Sequence, residues 1–85
     1  MELKDTAAWM CSSDYQERFK AEYFQLKTRL EKLESMLKRW DTGELGFEPI
    51  CSRHLYDGQV NAMRWYMTVL ETRAGIEKID LSGEG

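Results

Sequence analysis

The sequence predicts an all-α fold: an antiparallel two-helix hairpin with a short N-terminal arm, assembled into a homo-oligomeric helical bundle. Two stretches carry apolar residues at alternating spacings of three and four, which is the period of one helix face. Between them, the segment DTGELGFEP at residues 41–49 contains two glycines and the only proline, which stop helices. Each apolar stripe is wider than a single neighbouring helix covers, which favours assembly with further copies of the chain.

The first helix is predicted over residues 13–40, a stretch without glycine or proline in which strong helix formers fill most positions. Its start is marked by a capping pair, either Ser13 with Gln16 or Asp14 with Glu17. Its apolar seam comprises Phe19, Tyr23, Leu26, Leu30, Leu33, Leu37 and Trp40.

The second helix is predicted over residues 52–77, after a loop at 41–51. Gly58 lies in its interior and costs about 1 kcal/mol relative to alanine. The helix therefore either runs from a Ser52 cap through Gly58 or begins after Asp57. Its seam comprises Tyr56, Val60, Met63, Met67, Leu70 and Ala74, and an apolar tail is expected to pack across its far end (Ile76, Ile79 and Leu81).

The predicted organisation is one hairpin domain at residues 13–81. It lies between an arm at 1–12 and a disordered tail at 82–85. The arm is either a short helix whose Trp9 and Met10 pack on a neighbour or a frayed terminus. At 85 residues, a chain buries too little surface to be comfortably stable without disulfides, metal or partners. Its two cysteines form no CxxC pair and have no cluster of histidines beside them, so oligomerisation is the expected remedy.

Composition argues against several classes of function. Twelve basic and fifteen acidic residues give a net charge of −3 at pH 7, with the signs interleaved, which does not suit the coating of a nucleic-acid polymer or an anionic membrane. The N-terminus lacks the apolar core of a signal peptide, and no apolar run reaches membrane-spanning length. We expect a cytoplasmic protein, and a small anionic ligand stays compatible with this charge balance.

Cys51 and His54 are the candidates for nucleophilic or metal chemistry, because they lie three residues apart at a helix start, where a thiolate is favoured. No third orienting group, second histidine or glycine-rich oxyanion loop accompanies them. The preferred interpretation is a reduced thiol and a surface histidine, so we expect no enzyme and no metal or cofactor. A redox or metal protein that uses Cys11, Cys51 and His54 is kept as a third hypothesis.

Arginines interleaved with aromatic residues form the other constellation. Guanidinium groups bind phosphates and Tyr or Trp rings stack on bases, which is what a small nucleotide ligand requires. The same residues also fit solvated charges and aromatics at the edge of a core. The constellation consists of Tyr15 and Arg18 on the first helix, and of Arg64, Trp65, Tyr66 and Arg73 on the second.

Two motifs carry a family resemblance: YQERFxxEYxxLxxRLxKLxxML at Tyr15 to Leu37 and QVxAMxxYMxVLxxRA at Gln59 to Ala74. Together they resemble the short helical-hairpin proteins of crAss-like and other tailed phages. Those proteins are similar to the anti-CBASS and anti-Thoeris sponge proteins, homo-oligomers that sequester cyclic nucleotide or cyclic ADP-ribose immune signals without cleaving them. The chain departs from the pattern at Gly58 and in its N-terminal arm.

The resemblance implies a phage counter-defence protein in the cytoplasm of the infected bacterial host, with pockets between protomers. The implied site residues are Tyr15, Arg18 and Glu22 on the first helix, and Gln59, Met63, Tyr66 and Arg73 on the second. In this hypothesis the two arginines hold phosphates and the two tyrosines stack on bases. Base edges would be read by Glu22 or Gln59.

The alternative hypothesis is a protein-interaction module whose apolar surface binds a helix of a host or virion protein. Its basis is apolar surface away from the two seams, at Phe24, Met36 and Tyr66.

Overall fold

Two helices and the loop between them form the fold, as seen in a computed structural model that describes residues 14–81. Helix α1 spans Tyr15–Asp41 and helix α2 spans Arg53–Glu77. They are antiparallel, because Tyr15 contacts Glu77 at one end and Asp41 contacts Arg53 at the other. The predicted helical hairpin is confirmed. The predicted arm with Trp9 and Met10, and the predicted tail at 82–85, lie outside the described residues.

Helix α1 begins at an aspartate cap. The Asp14 carboxylate accepts the backbone N–H groups of Gln16 at 2.8 Å and Glu17 at 3.4 Å, which satisfies two donors that have no partner inside the helix. Of the two capping pairs that the sequence offered, the structure therefore uses the one that starts at Asp14.

Helix α1 ends at a glycine. Gly43 has a φ of +75°, a left-handed conformation that side chains disfavour. This geometry lets the N–H groups of Gly43 and Glu44 donate to the carbonyls of Trp40 and Arg39, at 3.1 and 2.8 Å. Two terminal carbonyls are satisfied in this way, as in a Schellman motif.

Helix α2 begins at Ser52, whose hydroxyl accepts the N–H of Leu55 at 3.3 Å, and runs through Gly58 without a break. The alternative start after Asp57 is therefore wrong. A Cβ added at Gly58 would meet nothing within 4 Å, so packing within the chain does not require glycine there. Packing contacts on the core side of the helix offset the energetic cost of Gly58, because Val60 and later seam residues pack on α1.

Helix α2 ends in a left-handed residue, Lys78, with a φ of 59°. The N–H of Ile79 donates to the carbonyl of Ala74 at 2.9 Å, and the Ile79 side chain is buried in the core. The predicted apolar tail therefore packs on the hairpin through Ile79 and Leu81. Ile76 does not take part: the helix continues past it to Glu77, and its side chain is 75% exposed.

The core is contributed unequally by the two helices. Eight residues of α1 are buried but only three of α2, which are Val60, Leu70 and Ala74. The remaining predicted seam residues of α2 are partly buried against α1: Tyr56, Met63 and Met67. Much of the apolar surface of α2 consequently lies outside the intrachain core.

Two residues that the sequence placed at apolar surfaces are found elsewhere. Phe24 is 3% exposed and belongs to the core cluster that includes Tyr23 and Ala74, so it offers no surface to a partner. Met36 is half-buried beside Leu37.

Candidate functional site

Arg73 lies at the open end of the hairpin, within a cluster formed by both helices. Its Nη2 donates to the Tyr15 hydroxyl at 3.1 Å, and that hydroxyl donates to Glu77 Oε1 at 2.7 Å. Its guanidinium also stands 5.1 Å from the centre of the Phe19 ring. The hydrogen bond that Arg73 donates to Tyr15, with a smaller contribution from Glu77, raises the pKa of Arg73 above its ordinary value. The result is a cation held in position beside an aromatic ring.

Glu22 and Tyr66 meet one step further along the same edge, where the Tyr66 hydroxyl donates to the Glu22 carboxylate. Glu22 follows Tyr15 by seven residues and Tyr66 precedes Arg73 by seven, so both steps equal two helical turns, or roughly 10 Å. The two contacts therefore lie in a row. We call this row, formed by Tyr15, Glu22, Tyr66 and Arg73, the tyrosine edge.

The tyrosine edge is open to solvent. Tyr15 is 46% exposed and Tyr66 is 42% exposed, so each ring offers a face to a ligand while its hydroxyl is held. The ion pair between Arg73 Nε and Glu77 Oε2, at 3.5 Å, is partly exposed as well. Exposed pairs of this kind contribute little to stability because solvent screens them, so a phosphate that competes with Glu77 loses little.

The other three predicted site residues are placed differently, and one of them, Met63, is partly buried against both core clusters. Arg18 is exposed on the side of α1 that carries Tyr15 and Glu22. It lies three residues after Tyr15 and four residues before Glu22, so the three side chains are neighbours on the helix surface. Gln59 is exposed on the side of α2 that carries Tyr66, but two turns further towards the loop, roughly 10 Å away along the axis. The structure thus brings four of the seven predicted residues together. Gln59 stands beyond the end of that row.

A second candidate site lies on the opposite edge, near the loop. This cleft has a volume of about 430 Å³, and it is lined by three cationic, three anionic and three uncharged residues. Its lining consists of Lys38, Arg53, Arg64, Glu34, Asp41, Asp57, Asn61, Leu37 and Val60.

Ion pairs already occupy the two guanidinium groups of the loop-end cleft. Arg53 donates to Asp41 at 2.5 and 3.2 Å and to Asp57 at 2.9 Å, and Arg64 donates to Glu34. The hydrogen bond from Arg53 lowers the pKa of Asp41, and the same bond raises the pKa of Arg53. Carboxylates bind both guanidinium groups of this cleft at hydrogen-bond distance, whereas the ion pair of Arg73 with Glu77 is longer, at 3.5 Å. This cleft therefore suits an anionic ligand less well than the tyrosine edge does.

Sequence reasoning paired Arg64 with the aromatic residues and overlooked Arg53. The structure assigns both to ion pairs on the loop-end cleft. The spacing of four residues between Arg53 and Asp57 was a signal for the second of these pairs. The bonds from Arg64 to Glu34 and from Arg53 to Asp41 depend on how the helices are paired, so no local pattern announces them.

The described residues contain no group of three or more His, Cys, Asp or Glu side chains that could hold a metal ion. Within them, Cys51 is an exposed free thiol and His54 is an exposed side chain. Cys11 lies outside the described residues. Neither described helix is long and apolar enough to cross a membrane.

Comparison with known proteins gives one match. A family model named Sequestin matches residues 13–76, which is about three quarters of the chain and includes both helices up to the last turn of α2. The name denotes a protein that sequesters another molecule. No curated protein matches the chain significantly. No solved structure matches it significantly either.

Proposed function

The chain belongs to the Sequestin family, and from this premise we propose that it is a non-enzymatic phage protein that sequesters an immune signal. The ligand of this proposal is a cyclic oligonucleotide or a cyclic ADP-ribose-type molecule, bound in the cytoplasm of the infected bacterium. The proposal includes no chemical step, because a counter-defence protein of this kind acts by lowering the free concentration of the signal.

The tyrosine edge is the observation that carries the proposal. A cyclic nucleotide offers phosphates, base faces and base edges. Arg73, held beside the Phe19 ring at 5.1 Å, supplies a positioned cation for a phosphate. Tyr15 and Tyr66 supply exposed rings for stacking. The Glu22 carboxylate supplies an acceptor for base N–H groups, and Arg18 supplies a second cation on the same side of α1.

The openness of the edge supports assembly with further copies. A single hairpin presents the edge as an open surface, whereas small-molecule sites bury most of their ligand. A homo-oligomer in which a second chain covers the edge supplies the missing wall. We therefore include a homo-oligomer with ligand pockets between protomers in the proposal.

The test is isothermal titration of the full chain with a panel of cyclic dinucleotides, cyclic trinucleotides and cyclic ADP-ribose isomers, with linear AMP as the negative control ligand. We expect one member of the panel to bind. Bound ligand released by denaturation should have the mass of the intact cyclic molecule, because nothing is cleaved. Binding of none of the panel by correctly folded protein would contradict the proposal.

Matched arginine variants locate the site. Arg73→Ala should weaken ligand binding by roughly 10–100-fold, since a charge-assisted hydrogen bond contributes about 1.5–3 kcal/mol. Arg64→Ala removes the same side-chain type from the opposite edge and should change affinity less than about threefold. If the double variant Arg18→Ala with Arg73→Ala bound as tightly as the parent chain, the assignment of the site would be wrong.

The exposed apolar face of α2 favours a second candidate function, a module that binds a helix of a host or virion protein. Leu55, Trp65 and Ile76 carry this candidate, together with Tyr66 from the original hypothesis. Phe24 no longer supports it, because Phe24 is buried within the chain. A monomer that binds none of the nucleotides and captures one specific helical segment would favour this function over sequestration.

A further inference from the structure

Helix α2 carries a second apolar stripe that faces away from its core seam. Its residues recur at alternating spacings of three and four along 22 positions, or roughly 32 Å of helix. No charged residue occurs in it. We call it the outer stripe, and it consists of Leu55, Gly58, Ala62, Trp65, Val69, Thr72 and Ile76.

The outer stripe is a separate surface from the core seam. At 100° per residue, its centre lies about 150° around the helix from the seam that packs on α1. Helix α1 cannot cover both. Leu55 is 63% exposed, Trp65 is 68% exposed and Ile76 is 75% exposed, whereas Leu70 and Ala74 on the seam are buried. A partner of the outer stripe must therefore come from elsewhere.

The size of the exposed surface fits half of a stable interface. Leu55, Trp65 and Ile76 alone expose on the order of 400 Å², given that a large aromatic side chain buries roughly 150–250 Å². That is already the area of the largest apolar patch on a typical monomer. A standard interface buries about 800 Å² per partner, which the rest of the stripe and its flanking polar residues are large enough to complete.

The shape of the outer stripe is complementary to itself. Trp65 projects from it, and Gly58 leaves a notch two turns, or about 10 Å, away on the same face. Packing within the chain does not require a glycine at this position, and glycine is the least favourable non-proline residue in a helix interior. The close approach of a large side chain from another molecule accounts for it.

We propose that the outer stripe is the interface with a second copy of this chain, whose α2 packs antiparallel against it about a two-fold axis. In this arrangement each Trp65 sits over the partner copy's Gly58 notch, and the axis passes near Ala62, where a small side chain lets the helices approach. The same pairing sets Leu55 against Val69 of the other copy. It also brings Ile76 beside the loop before α2, where Phe47 is 61% exposed.

The antiparallel direction follows from the positions of the projection and the notch. A parallel two-fold pairing sets each residue opposite itself, so that two Trp65 side chains collide and two Gly58 positions leave a void. Of these two directions, only antiparallel pairing places the large Trp65 side chain against the small Gly58. It also orients the two helix dipoles in opposite directions.

This interface borders the tyrosine edge. Tyr66 follows Trp65 directly and Arg73 is one heptad further on, so both flank the outer stripe. A second copy seated on the stripe therefore stands alongside the row of ligand-binding candidates and turns an open edge into a cleft between protomers. The dimer itself does not depend on which ligand is bound.

Sedimentation equilibrium of the full chain between 1 and 200 µM, without added ligand, is the first test. We expect the parent chain to form a dimer or a larger assembly that is built from such dimers. Trp65→Lys should raise the dimer Kd at least tenfold. The control Ser35→Lys adds the same charge to the exposed outward side of α1 and should leave the Kd within about threefold.

Gly58 separates an interface role from a purely structural one. Gly58→Ala improves helix propensity and should stabilise the monomer, yet it should weaken the dimer because the added methyl group enters the notch. Gly58→Leu fills the notch and should weaken the dimer at least tenfold. Far-ultraviolet circular dichroism confirms that each variant stays helical.

Disulfide trapping tests the position of the axis. With Cys11 and Cys51 replaced by serine, Ala62→Cys should form a covalent dimer on mild oxidation with copper phenanthroline, whereas Ser35→Cys should not. A parent chain that is monomeric at 200 µM would overturn the inference, as would an oligomer that keeps its Kd in both Trp65→Lys and Gly58→Leu. A monomer that still binds a cyclic nucleotide overturns this interface and the proposed pockets between protomers, whereas sequestration of the nucleotide itself then still stands.

Discussion

The two ends of the hairpin hold their arginine side chains in different environments. At the loop end, Arg53 is bound by the carboxylates of Asp41 and Asp57 and stands 5.6 Å from the Trp40 ring centre. At the open end, Arg73 is held by a phenol and a longer ion pair, with Phe19 beneath it. In the first arrangement, the two carboxylates neutralise the charge of the guanidinium group. The second positions the charge and leaves it able to meet an anion.

The ion pair at the loop end predicts an acid-sensitive contribution to stability. Arg53 lowers the pKa of Asp41 below 3.8, so the folded state favours the carboxylate and the pair contributes above that pH. The contribution is lost as the pH falls through the lowered pKa. We expect Asp41→Asn to have a lower Tm than the parent chain at pH 7 and the difference to disappear in strong acid.

Thermal unfolding followed by circular dichroism from pH 2 to pH 7 measures this effect. Glu31→Gln, which neutralises an exposed carboxylate on α1, is the control and should not reproduce the pattern. A Tm difference between Asp41→Asn and the parent chain that stays constant down to pH 2 would argue against the ion pair as its source.

Each helix as an element is closed at its C-terminus by a left-handed residue. Gly43 after α1 takes this conformation at no steric cost. Lys78 after α2 takes it with a side chain, which is unfavourable by about 1–2 kcal/mol. The buried Ile79 that follows Lys78 compensates, because the turn is what directs its side chain into the core.

These two positions predict stability changes of opposite sign. Lys78→Gly should raise the free energy of unfolding by about 1 kcal/mol, since it removes the left-handed strain and keeps the turn. Gly43→Ala should lower it by about the same amount. Urea denaturation of both variants and the parent chain at one protein concentration provides the values. A destabilised Lys78→Gly would show that the lysine side chain contributes a contact that outweighs the strain.

The whole molecule is a thin structure with a core on one side of α2 and an apolar surface on the other. One chain of this size buries too little surface to be highly stable. In the dimer proposed above, a second copy on the outer stripe adds the missing burial, and the binding free energy becomes part of the stability of each chain. The two proposals, sequestration and assembly, are linked in the same way, since a ligand bound between protomers would stabilise the proposed dimer.

Thermal stability should therefore depend on protein concentration. Binding of a partner at 100 times its Kd stabilises by about 2.7 kcal/mol, and each kcal/mol shifts the Tm of a small domain by about 4–8 °C. We expect the Tm to rise by several degrees or more between 2 and 200 µM, measured by scanning calorimetry. In Trp65→Lys the Tm should be nearly independent of concentration over the same range.

The fold could be predicted from the sequence because its signals are local. Apolar spacing, the capping residues Asp14 and Ser52, and the glycine at position 43 each act over one or two turns of chain. Local signals were less informative where the same residue allowed two interpretations. Gly58 suggested a late helix start, whereas the Ser52 cap and the packing of Tyr56 against the core show that the helix already runs before Gly58.

The candidate site could be predicted only in part. Heptad spacing placed Tyr15 and Glu22 on one side of α1, and Tyr66 and Arg73 on one side of α2, which is information that the sequence contains. Which residue of α1 stands opposite which residue of α2 is a property of the helix pairing. The contacts between Arg73 and Tyr15 and between Tyr66 and Glu22, and the pairing of Arg64 with Glu34, follow from that alignment.

By itself, the sequence determined that two amphipathic helices form and turn back on each other. Helix propensity, the apolar period and the presence of residues that end a helix are all short-range properties. The tertiary structure alone decided which apolar residues the chain keeps for itself and which it exposes. Phe24 went into the core and Ile76 did not, while the outer stripe stayed open. The reason is geometric: a helix has more apolar sides here than one partner covers, and only the packing angle selects among them.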